Sequence, residues 1–364
     1  MSRSVNQMRR LAAAAMFFSV CNFGVSQEAD PSELTTGDRL GGILKRFPAT
    51  DANGDGTLSR EEAVSFFKKR REAMKTPRVG ERAERPEPSH ANVRYGEHER
   101  QVFDLWLVPD ATEPTPLVIF IHGGGFRSGD KRIASAAFIE KCLEAGVSFA
   151  AMNYRLSDVG PYPMMMEDCA RGLQTIRHRA AEWNLNSEKI ASYGGSAGAG
   201  ISLWLGFHED LADPESEDPI ARQSTRLVAV GTMNGQSSYD ISDFREWFDS
   251  PGLQPGPALP AFYQVESESD WESERVKNLM KEASSINHLT EDDVPVYMMY
   301  SRPNTLVTEE TESSVWVHHV KLGLKLQERM EGLEIECIVT APDVIPENDP
   351  YGSFEDFLIE KVKG

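Results

Sequence analysis

The segment YGGSAGAG, residues 193–200, surrounds Ser196 with glycine in the pattern Gly-x-Ser-x-Gly. An apolar run precedes the serine, and small residues that can open a helix follow it. A serine on such a tight strand-to-helix turn is pushed outward, and only glycine-sized neighbours tolerate the crowding. The following helix directs its dipole and the N–H of Ala197 at the same position. The pattern therefore predicts a nucleophilic serine of the hydrolase type.

A second glycine motif, IHGGGF, occupies residues 121–126 after another apolar run. Consecutive glycines let bare backbone approach a substrate, so we expect the N–H groups of Gly124, Gly125 and Ala197 to stabilise an oxyanion. Removing one such donor typically lowers turnover ~10²–10³-fold. Neither glycine run has the Gly-x-Gly-x-x-Gly spacing with an acidic residue about 20 positions on, which disfavours a dinucleotide site.

Together with NYRL at residues 153–156 and SSINHLTEDDVPVYMMYS at residues 284–301, these motifs resemble the α/β-hydrolase family. In particular, the chain from about Val93 to Gly364 resembles bacterial esterases of the hormone-sensitive-lipase and feruloyl-esterase type. The resemblance implies hydrolysis of carboxylic esters, including acyl groups linked to carbohydrate, with no cofactor for catalysis. The alternative is a catalytically impaired relative that keeps the fold and pocket to bind a ligand or partner.

The resemblance also implies an acid and a histidine after Ser196, and the usual positions hold neither. Asn304 stands where the family commonly has its acid, and Tyr351 stands where it commonly has its histidine. Asparagine cannot carry the negative charge that stabilises an imidazolium. A phenol with a pKa near 10 stays protonated at neutral pH, so tyrosine is a poor base.

The last two histidines of the chain, His318 and His319, leave two alternatives open. One of them could serve as a displaced base for Ser196, or both could cap or pack their helix, which the sequence favours. Candidates to orient a displaced base are three glutamates, Glu309, Glu310 and Glu312.

A separate motif, DANGDGTLSREE at residues 51–62, resembles the twelve-residue loop of EF-hand proteins. Ca²⁺ takes six to eight oxygen ligands, and the loop offers them at positions 1, 3, 5, 7, 9 and 12. Those residues are Asp51, Asn53, Asp55, Thr57 through its carbonyl, Ser59 and Glu62. Gly56 permits the sharp turn at position 6. No second loop of this kind is found in the sequence, so a weak structural calcium site is expected; the alternative is an acidic turn capped by Ser59.

Elements that could position these residues follow one another from Val93 onward. Uninterrupted apolar strands alternate with helical patterns, which indicates a mostly parallel sheet with helices on both faces, here the α/β-hydrolase fold. One continuous helix is predicted over residues 313–330. The alternation lapses at residues 235–293, which predicts a lid-like insertion. Its large aromatic residues, Trp247, Phe262 and Trp271, could line a pocket or form the core of the lid.

The rest of the chain divides into a signal peptide (1–26), a small helical EF-hand-like segment (27–75), a linker (76–92) and the α/β domain (93–364). The N-terminus is basic and then apolar over LAAAAMFFSV, too short to span a bilayer, with small residues before a cleavage point after Ser26. This predicts a secreted or periplasmic protein, and Cys21 leaves a lipid-anchored alternative open.

The net charge of −19 disfavours nucleic acid and anionic membranes as partners. No later segment is apolar enough to cross a membrane, so a small ester and a partner bound through the EF-hand segment are the partners expected.

Overall fold

The computed structural model describes residues 52–53, 55–59, 62 and 85–364. The chain forms two compact units, residues 1–82 and residues 83–364. The predicted signal peptide and linker start lie outside the described residues, as does Asp51 of the calcium loop.

Within residues 85–364, eight strands form one sheet in the order β1-β2-β4-β3-β5-β6-β7-β8. The strands are β1 (His90–Arg94), β2 (Val102–Trp106), β3 (Thr115–Ile121), β4 (Ser148–Met152), β5 (Leu185–Gly195), β6 (Val230–Met233), β7 (Val296–Met299) and β8 (Cys337–Thr340). Strands β1 and β2 run antiparallel to their neighbours, and β3 to β8 pair in parallel. The mostly parallel sheet predicted from the sequence is confirmed.

Helices cover both faces of this sheet. They are α1 (Ala136–Glu144), α2 (Met164–His178), α3 (Ala197–Phe207), α4 (Ile241–Trp247), α5 (Leu259–Tyr263), α6 (Glu274–Ala283), α7 (Ser313–Trp316), α8 (Lys321–Glu331) and α9 (Phe354–Lys363). Short 3₁₀ helices occupy Lys131–Ile133, Glu268–Glu272 and Ser285–Asn287. Helices α1 and α9 bury their apolar side chains in one core, and α2, α3 and α8 contribute to the other. The alternation of apolar strands and amphipathic helices produces these two layers because each element buries one apolar stripe or face.

Two boundaries differ from the predictions. Strand β1 begins at His90, inside the stretch predicted as a linker. The helix predicted over residues 313–330 is two helices, α7 and α8, separated by a turn at residues 317–320. In that turn the N–H groups of His318 and His319 donate to carbonyls three residues back, at 3.3 Å each, which tightens the chain relative to an α-helix. No glycine or proline marks the break, so the pattern alone predicted one helix.

The insertion at residues 235–293 contains α4, α5 and α6. Phe262 is fully buried and stacks on Phe126 with ring centroids 4.3 Å apart. Trp247 and Trp271 are partly buried and pack against the core. The aromatic residues of the insertion therefore pack its core.

Cys142, Cys169 and Cys337 are buried free thiols. Among the residues that the structure describes, no helix has both the length and the apolar character needed to cross a bilayer.

Candidate active site

Ser196 lies on the sharp turn between β5 and α3, with φ 51° and ψ −120°. Such a positive φ in a residue other than glycine typically costs ~1–3 kcal/mol and persists only where surrounding contacts hold it. Here the N–H of Ser196 donates to the Met233 carbonyl at 2.9 Å, and its carbonyl accepts from Gly200 N–H at 3.1 Å. The residue is only half-buried, so its hydroxyl can be reached by a substrate.

The glycine loop after β3 lies directly against this turn. A Cβ added at Gly123 would lie 2.4 Å from the Gly195 carbonyl oxygen and 3.4 Å from Cβ of Ser196. Gly124 has φ +115°, a conformation that disfavours any side chain. Within residues 85–364, the N–H groups of Gly124 and Gly125 donate to no acceptor of the protein. The loop therefore presents unpaired donors beside the serine, as expected of an oxyanion hole.

His122, the first residue of this loop, supports the loop and does not contact the serine. Its Nε2 lies 3.0 Å from a guanidinium nitrogen of Arg100, and its Nδ1 lies 2.8 Å from the Gly123 carbonyl. Because Arg100 can only donate, Nε2 is the acceptor and the proton is on Nδ1. The ring also stacks on Tyr154 at 4.4 Å. Burial lowers the pKa of His122 to about 4, so the ring is neutral at pH 7.

His318 reaches Ser196: its Nε2 lies 2.8 Å from the Ser196 Oγ. Its Nδ1 lies 3.0 Å from the carbonyl oxygen of Ser314. Because a carbonyl only accepts, the proton is assigned to Nδ1, and Nε2 is left to accept the serine hydroxyl proton. Burial lowers the pKa of His318, and the nearby Arg302 guanidinium lowers it further, so the ring is neutral at pH 7. This is the protonation state that a general base requires.

His319 has a different role, because both of its nitrogens bind the backbone. Nε2 lies 2.9 Å from the Thr305 carbonyl, and Nδ1 accepts from Lys321 N–H at 3.1 Å. The side chain is buried and meets Phe248 edge-on. The packing role favoured for both histidines thus describes His319, whereas His318 contacts the serine.

The residues at the usual acid and histidine positions lie elsewhere. Asn304 is exposed, and its N–H donates to both carboxylate oxygens of Asp343, at 2.8 and 3.0 Å. The Tyr351 hydroxyl donates to Glu336 at 3.1 Å, and its ring packs edge-on against Phe357 of α9. Neither residue forms a hydrogen bond with Ser196 or His318.

The predicted glutamates do not orient His318. Glu309 accepts from the N–H of Gly252 at 2.9 Å, and Glu312 is 3.5 Å from the Ser314 hydroxyl. Glu310 is exposed. Within the described part of the chain, no carboxylate accepts from Nδ1 of His318, and the Ser314 carbonyl takes that place.

Three features of the site were absent from the sequence reasoning: the Ser314 carbonyl, Arg302 and Gln236. A guanidinium nitrogen of Arg302 donates to the Ser314 carbonyl at 3.3 Å. The amide nitrogen of Gln236 donates to the Val317 carbonyl at 2.6 Å, which ties the insertion to the turn that carries His318. A main-chain acceptor leaves no signal in a sequence, and the two side chains become relevant only once the turn at residues 317–320 is known.

The calcium loop is described at five of its six predicted ligand residues. Glu62 accepts from the N–H groups of Ala52 and Asn53, at 3.2 and 3.3 Å, and from Ser59 N–H at 3.0 Å. Asp55 accepts from Thr57 N–H at 2.8 Å and from Asn53 Nδ2 at 3.0 Å. These hydrogen bonds lower the pKa values of both carboxyls. Hydrogen bonds from neighbouring loop residues therefore hold the carboxylates at positions 5 and 12, and both acids are ionised at neutral pH.

Comparison with known proteins gives a consistent family. The model of the BD-FAE family matches residues 103–318, more than half of the chain. LipM of Mycobacterium tuberculosis, named as a probable carboxylic ester hydrolase, is 26% identical over 221 residues, which cover 59% of this chain and 48% of that protein. The chain thus spans about half the length of that curated relative, and a smaller share of others.

Solved structures share the fold. A truncated carbohydrate esterase from gut microbiota superimposes with a TM-score of 0.58 at 17% identity, covering 76% of this chain and 96% of that one. An esterase from the planctomycete Thermogutta terrifontis gives 0.53 at 19% identity, covering 77% and 90%.

Proposed function

Because the chain belongs to the BD-FAE family of α/β-hydrolase esterases, we propose that it is a carboxylic ester hydrolase with a Ser196–His318 dyad. One observation carries the proposal: the 2.8 Å contact between the Ser196 Oγ and the unprotonated Nε2 of His318. The serine, the base and the oxyanion donors then occupy one site, although the base is not where the family usually has it.

The dyad can catalyse both steps of ester hydrolysis, acylation of Ser196 and hydrolysis of the acyl-serine. His318 Nε2 takes the proton of Ser196 as Oγ attacks the ester carbonyl, and the N–H groups of Gly124, Gly125 and Ala197 stabilise the resulting oxyanion. The tetrahedral intermediate collapses, and His318 gives its proton to the departing alcohol. A water molecule, deprotonated by the same nitrogen, then attacks the acyl-serine and releases the acid.

The Ser314 carbonyl explains how a dyad works without a carboxylate. In a serine triad the acid holds the histidine in the correct tautomer and stabilises the imidazolium, and replacing it by an amide costs ~10⁴-fold because the tautomer becomes wrong. A carbonyl oxygen enforces the same tautomer as a carboxylate, but its partial charge stabilises the imidazolium less. We therefore expect measurable turnover of the ester, at a rate lower than that of an enzyme with a complete triad.

The insertion limits the space around the serine, which supports a small acyl group, including one carried by a carbohydrate. A Cβ added at Gly125 would lie 3.4 Å from Cβ of Ala258, and one added at Gly256 would lie 3.5 Å from Cγ1 of Val317. The insertion thus packs against both the oxyanion loop and the turn that carries His318.

Turnover of p-nitrophenyl acetate and labelling by a fluorophosphonate test the dyad. Ser196→Ala should abolish labelling and lower kcat/KM at least ~10³-fold, and His318→Asn should lower kcat by a similar factor. His178→Asn, an exposed histidine at the end of α2, is the matched control and should behave as wild type. Wild-type protein that neither turns over the ester nor takes the label would establish a catalytically inactive, ligand-binding relative instead.

We also propose that the loop at residues 51–62 binds Ca²⁺ as a structural ion. The described residues fit the ion: Gly56 turns the chain at φ +79°, and Asn53 donates hydrogen bonds to the carboxylates of both Asp55 and Glu62, which brings the two acids to the same part of the loop. The predicted ligands are hard oxygens, as Ca²⁺ prefers, and Asp51 would add another.

Isothermal titration of the full chain with Ca²⁺ tests this site. One equivalent should bind with a dissociation constant of roughly 10⁻⁴–10⁻³ M, the range of extracellular modules. Glu62→Gln should remove that binding, and Glu113→Gln, on an exposed loop of the other unit, should not. No heat at millimolar Ca²⁺ in the wild type would refute the calcium proposal and leave the dyad untouched.

Export through a cleaved signal peptide is the proposal for localisation. It rests on the basic start, the apolar run and the small residues before the predicted cleavage after Ser26. Mass spectrometry of protein recovered from outside the cytoplasm should give Gln27 as the first residue. A lipid-modified Cys21 at the N-terminus would contradict cleavage after Ser26.

A further inference from the structure

A second cluster of metal-binding side chains lies at the far end of the helix that follows the serine. His208 is the residue after α3, Glu282 lies in the last turn of α6, and His288 follows the 3₁₀ helix Ser285–Asn287. One ligand atom from each of the three residues lies within 4.8 Å of the other two. An ideal α-helix rises 1.5 Å per residue, so the length of α3 places the cluster roughly 15 Å or more from Ser196. The dyad mechanism uses none of these residues.

Hydrogen bonds to the backbone already orient both imidazoles. Nδ1 of His208 lies 3.1 Å from the Glu209 carbonyl, and Nε2 of His288 lies 2.7 Å from the Glu282 carbonyl. Each of these nitrogens must donate, because a carbonyl only accepts, so the other nitrogen of each ring carries a lone pair. Histidine ligands of metal ions usually donate their second nitrogen to such a carbonyl or carboxylate.

The free nitrogen of His208 already faces the carboxylate. Its Nε2 lies 3.3 Å from Oε1 of Glu282, and the two imidazole rings are 4.8 Å apart between centroids. The indole of Trp204 packs at 4.1 Å from the His208 ring and restricts its rotation. Both histidines are largely buried, whereas the Glu282 side chain is 51% exposed and free to turn.

We propose that His208, Glu282 and His288 form a zinc-type site that joins the end of α3 to the insertion. Zinc bonds of ~2.0–2.2 Å in a tetrahedral site place ligand atoms about 3.5 Å apart, which requires shifts of roughly 1 Å from the present arrangement. His208 supplies Nε2 and Glu282 one oxygen. His288 supplies Nε2, which lies 3.9 Å from Oε1 of Glu282 and releases the Glu282 carbonyl as its proton moves to Nδ1, and water completes the tetrahedron.

The donor set distinguishes this site from the calcium loop. Two imidazoles and one carboxylate suit Zn²⁺, Co²⁺ or Ni²⁺, whereas Ca²⁺ takes oxygen ligands. His208 follows α3 in the core, whereas Glu282 and His288 belong to the insertion. A bound metal ion would therefore hold the insertion to the core and raise the thermal stability of this unit.

Titration of the full chain with Co²⁺ at pH 7.5, with Ca²⁺ in excess to occupy the EF-hand loop, tests the site. We expect one equivalent of Co²⁺ with the visible absorption of a tetrahedral nitrogen–oxygen site, displaced by Zn²⁺. Zn²⁺ at 100 times its dissociation constant should raise Tm by roughly 5 °C.

His208→Ala and His288→Ala should each lose the absorption band and the Zn²⁺-dependent rise in Tm, with Glu282→Gln as a milder variant that preserves packing. His178→Ala, which removes an exposed histidine elsewhere, should retain both. Circular dichroism without metal establishes that each variant is folded. A wild type that shows no absorption band and no Tm shift overturns the proposal, as do cluster variants that bind like the His178 variant.

Discussion

Replacing Arg302 with glutamine should move the acid limb of the esterase pH profile to higher pH. A guanidinium nitrogen of Arg302 and Nδ1 of His318 bind the same Ser314 carbonyl, at 3.3 and 3.0 Å. The two nitrogens therefore lie no farther apart than the sum of these distances, about 6 Å. A positive charge at that distance disfavours the imidazolium, and it contributes to the lowered pKa of His318.

The size of the shift follows from Coulomb's law. Two unit charges about 6 Å apart interact by ~0.7 kcal/mol in bulk water, and by more as the effective dielectric constant falls toward 20. Arg302 is exposed, so the interaction stays close to this water limit. His318 acts as a base only in its neutral form, and removing Arg302 raises the pKa of His318. The acid limb therefore moves to higher pH. Activity at pH 5.5 should therefore fall while the plateau above pH 7.5 is retained.

The measurement is kcat/KM for p-nitrophenyl acetate, a neutral ester, between pH 4.5 and 8.5 at low and high salt. The matched control is Arg329→Gln, the same charge change at an exposed position of α8. The difference between wild type and the Arg302 variant should shrink at 1 M salt, where the screening length is about 3 Å. An acid limb that moves to lower pH in the Arg302 variant, or that moves equally in the Arg302 and Arg329 variants, would refute the electrostatic assignment.

Three further outcomes are expected. The pKa of His122 falls to about 4 on folding, below the ordinary 6.5, so the unfolded chain takes up its proton first as pH drops. The free energy of unfolding should therefore fall by about 3 kcal/mol between pH 6.5 and 4, and urea melts of His122→Asn should lack this component. Lys131→Met removes the partner that the buried Asp104 binds at 2.6 Å and leaves it the Arg85 guanidinium at 3.5 Å and the Asn92 N–H at 2.8 Å; chemical denaturation should show a loss of ~3 kcal/mol, the lower end of the range for breaking a buried ion pair. Gly123→Ala drives a Cβ against the Gly195 carbonyl, so kcat should fall ~10²-fold or more while fluorophosphonate labelling slows in parallel.

The serine turn and its oxyanion loop could be predicted because their requirements are local. Gly123 must be glycine because a Cβ there would lie 2.4 Å from the Gly195 carbonyl oxygen, and Gly198 must be glycine because its Cβ would lie 2.1 Å from the Ile121 carbonyl oxygen. The order of strands and helices was readable for a similar reason, because strands such as β3, β4 and β7 consist almost entirely of apolar residues.

The base could not be assigned because its position depends on a break in a helix. His318 and Ser196 are 122 residues apart, and they meet only since the chain turns between α7 and α8. In a continuous helix, adjacent histidines point about 100° apart with no preference between them. The group that orients the base is a main-chain carbonyl, which every residue possesses, so composition cannot reveal it.

In residues 85–364, the proposed base comes soon after β7, whereas the segment after β8 stabilises the fold. The proposed proton acceptor, His318, precedes α8 and β8, and the segment after β8 packs Tyr351 on Glu336 and Phe357. Helix α9 buries Phe354, Phe357 and Leu358 beneath the sheet. Substitutions after residue 340 should therefore change the yield of folded protein and leave kcat and KM of the folded protein unchanged. The sequence of this region can vary as long as its packing is conserved.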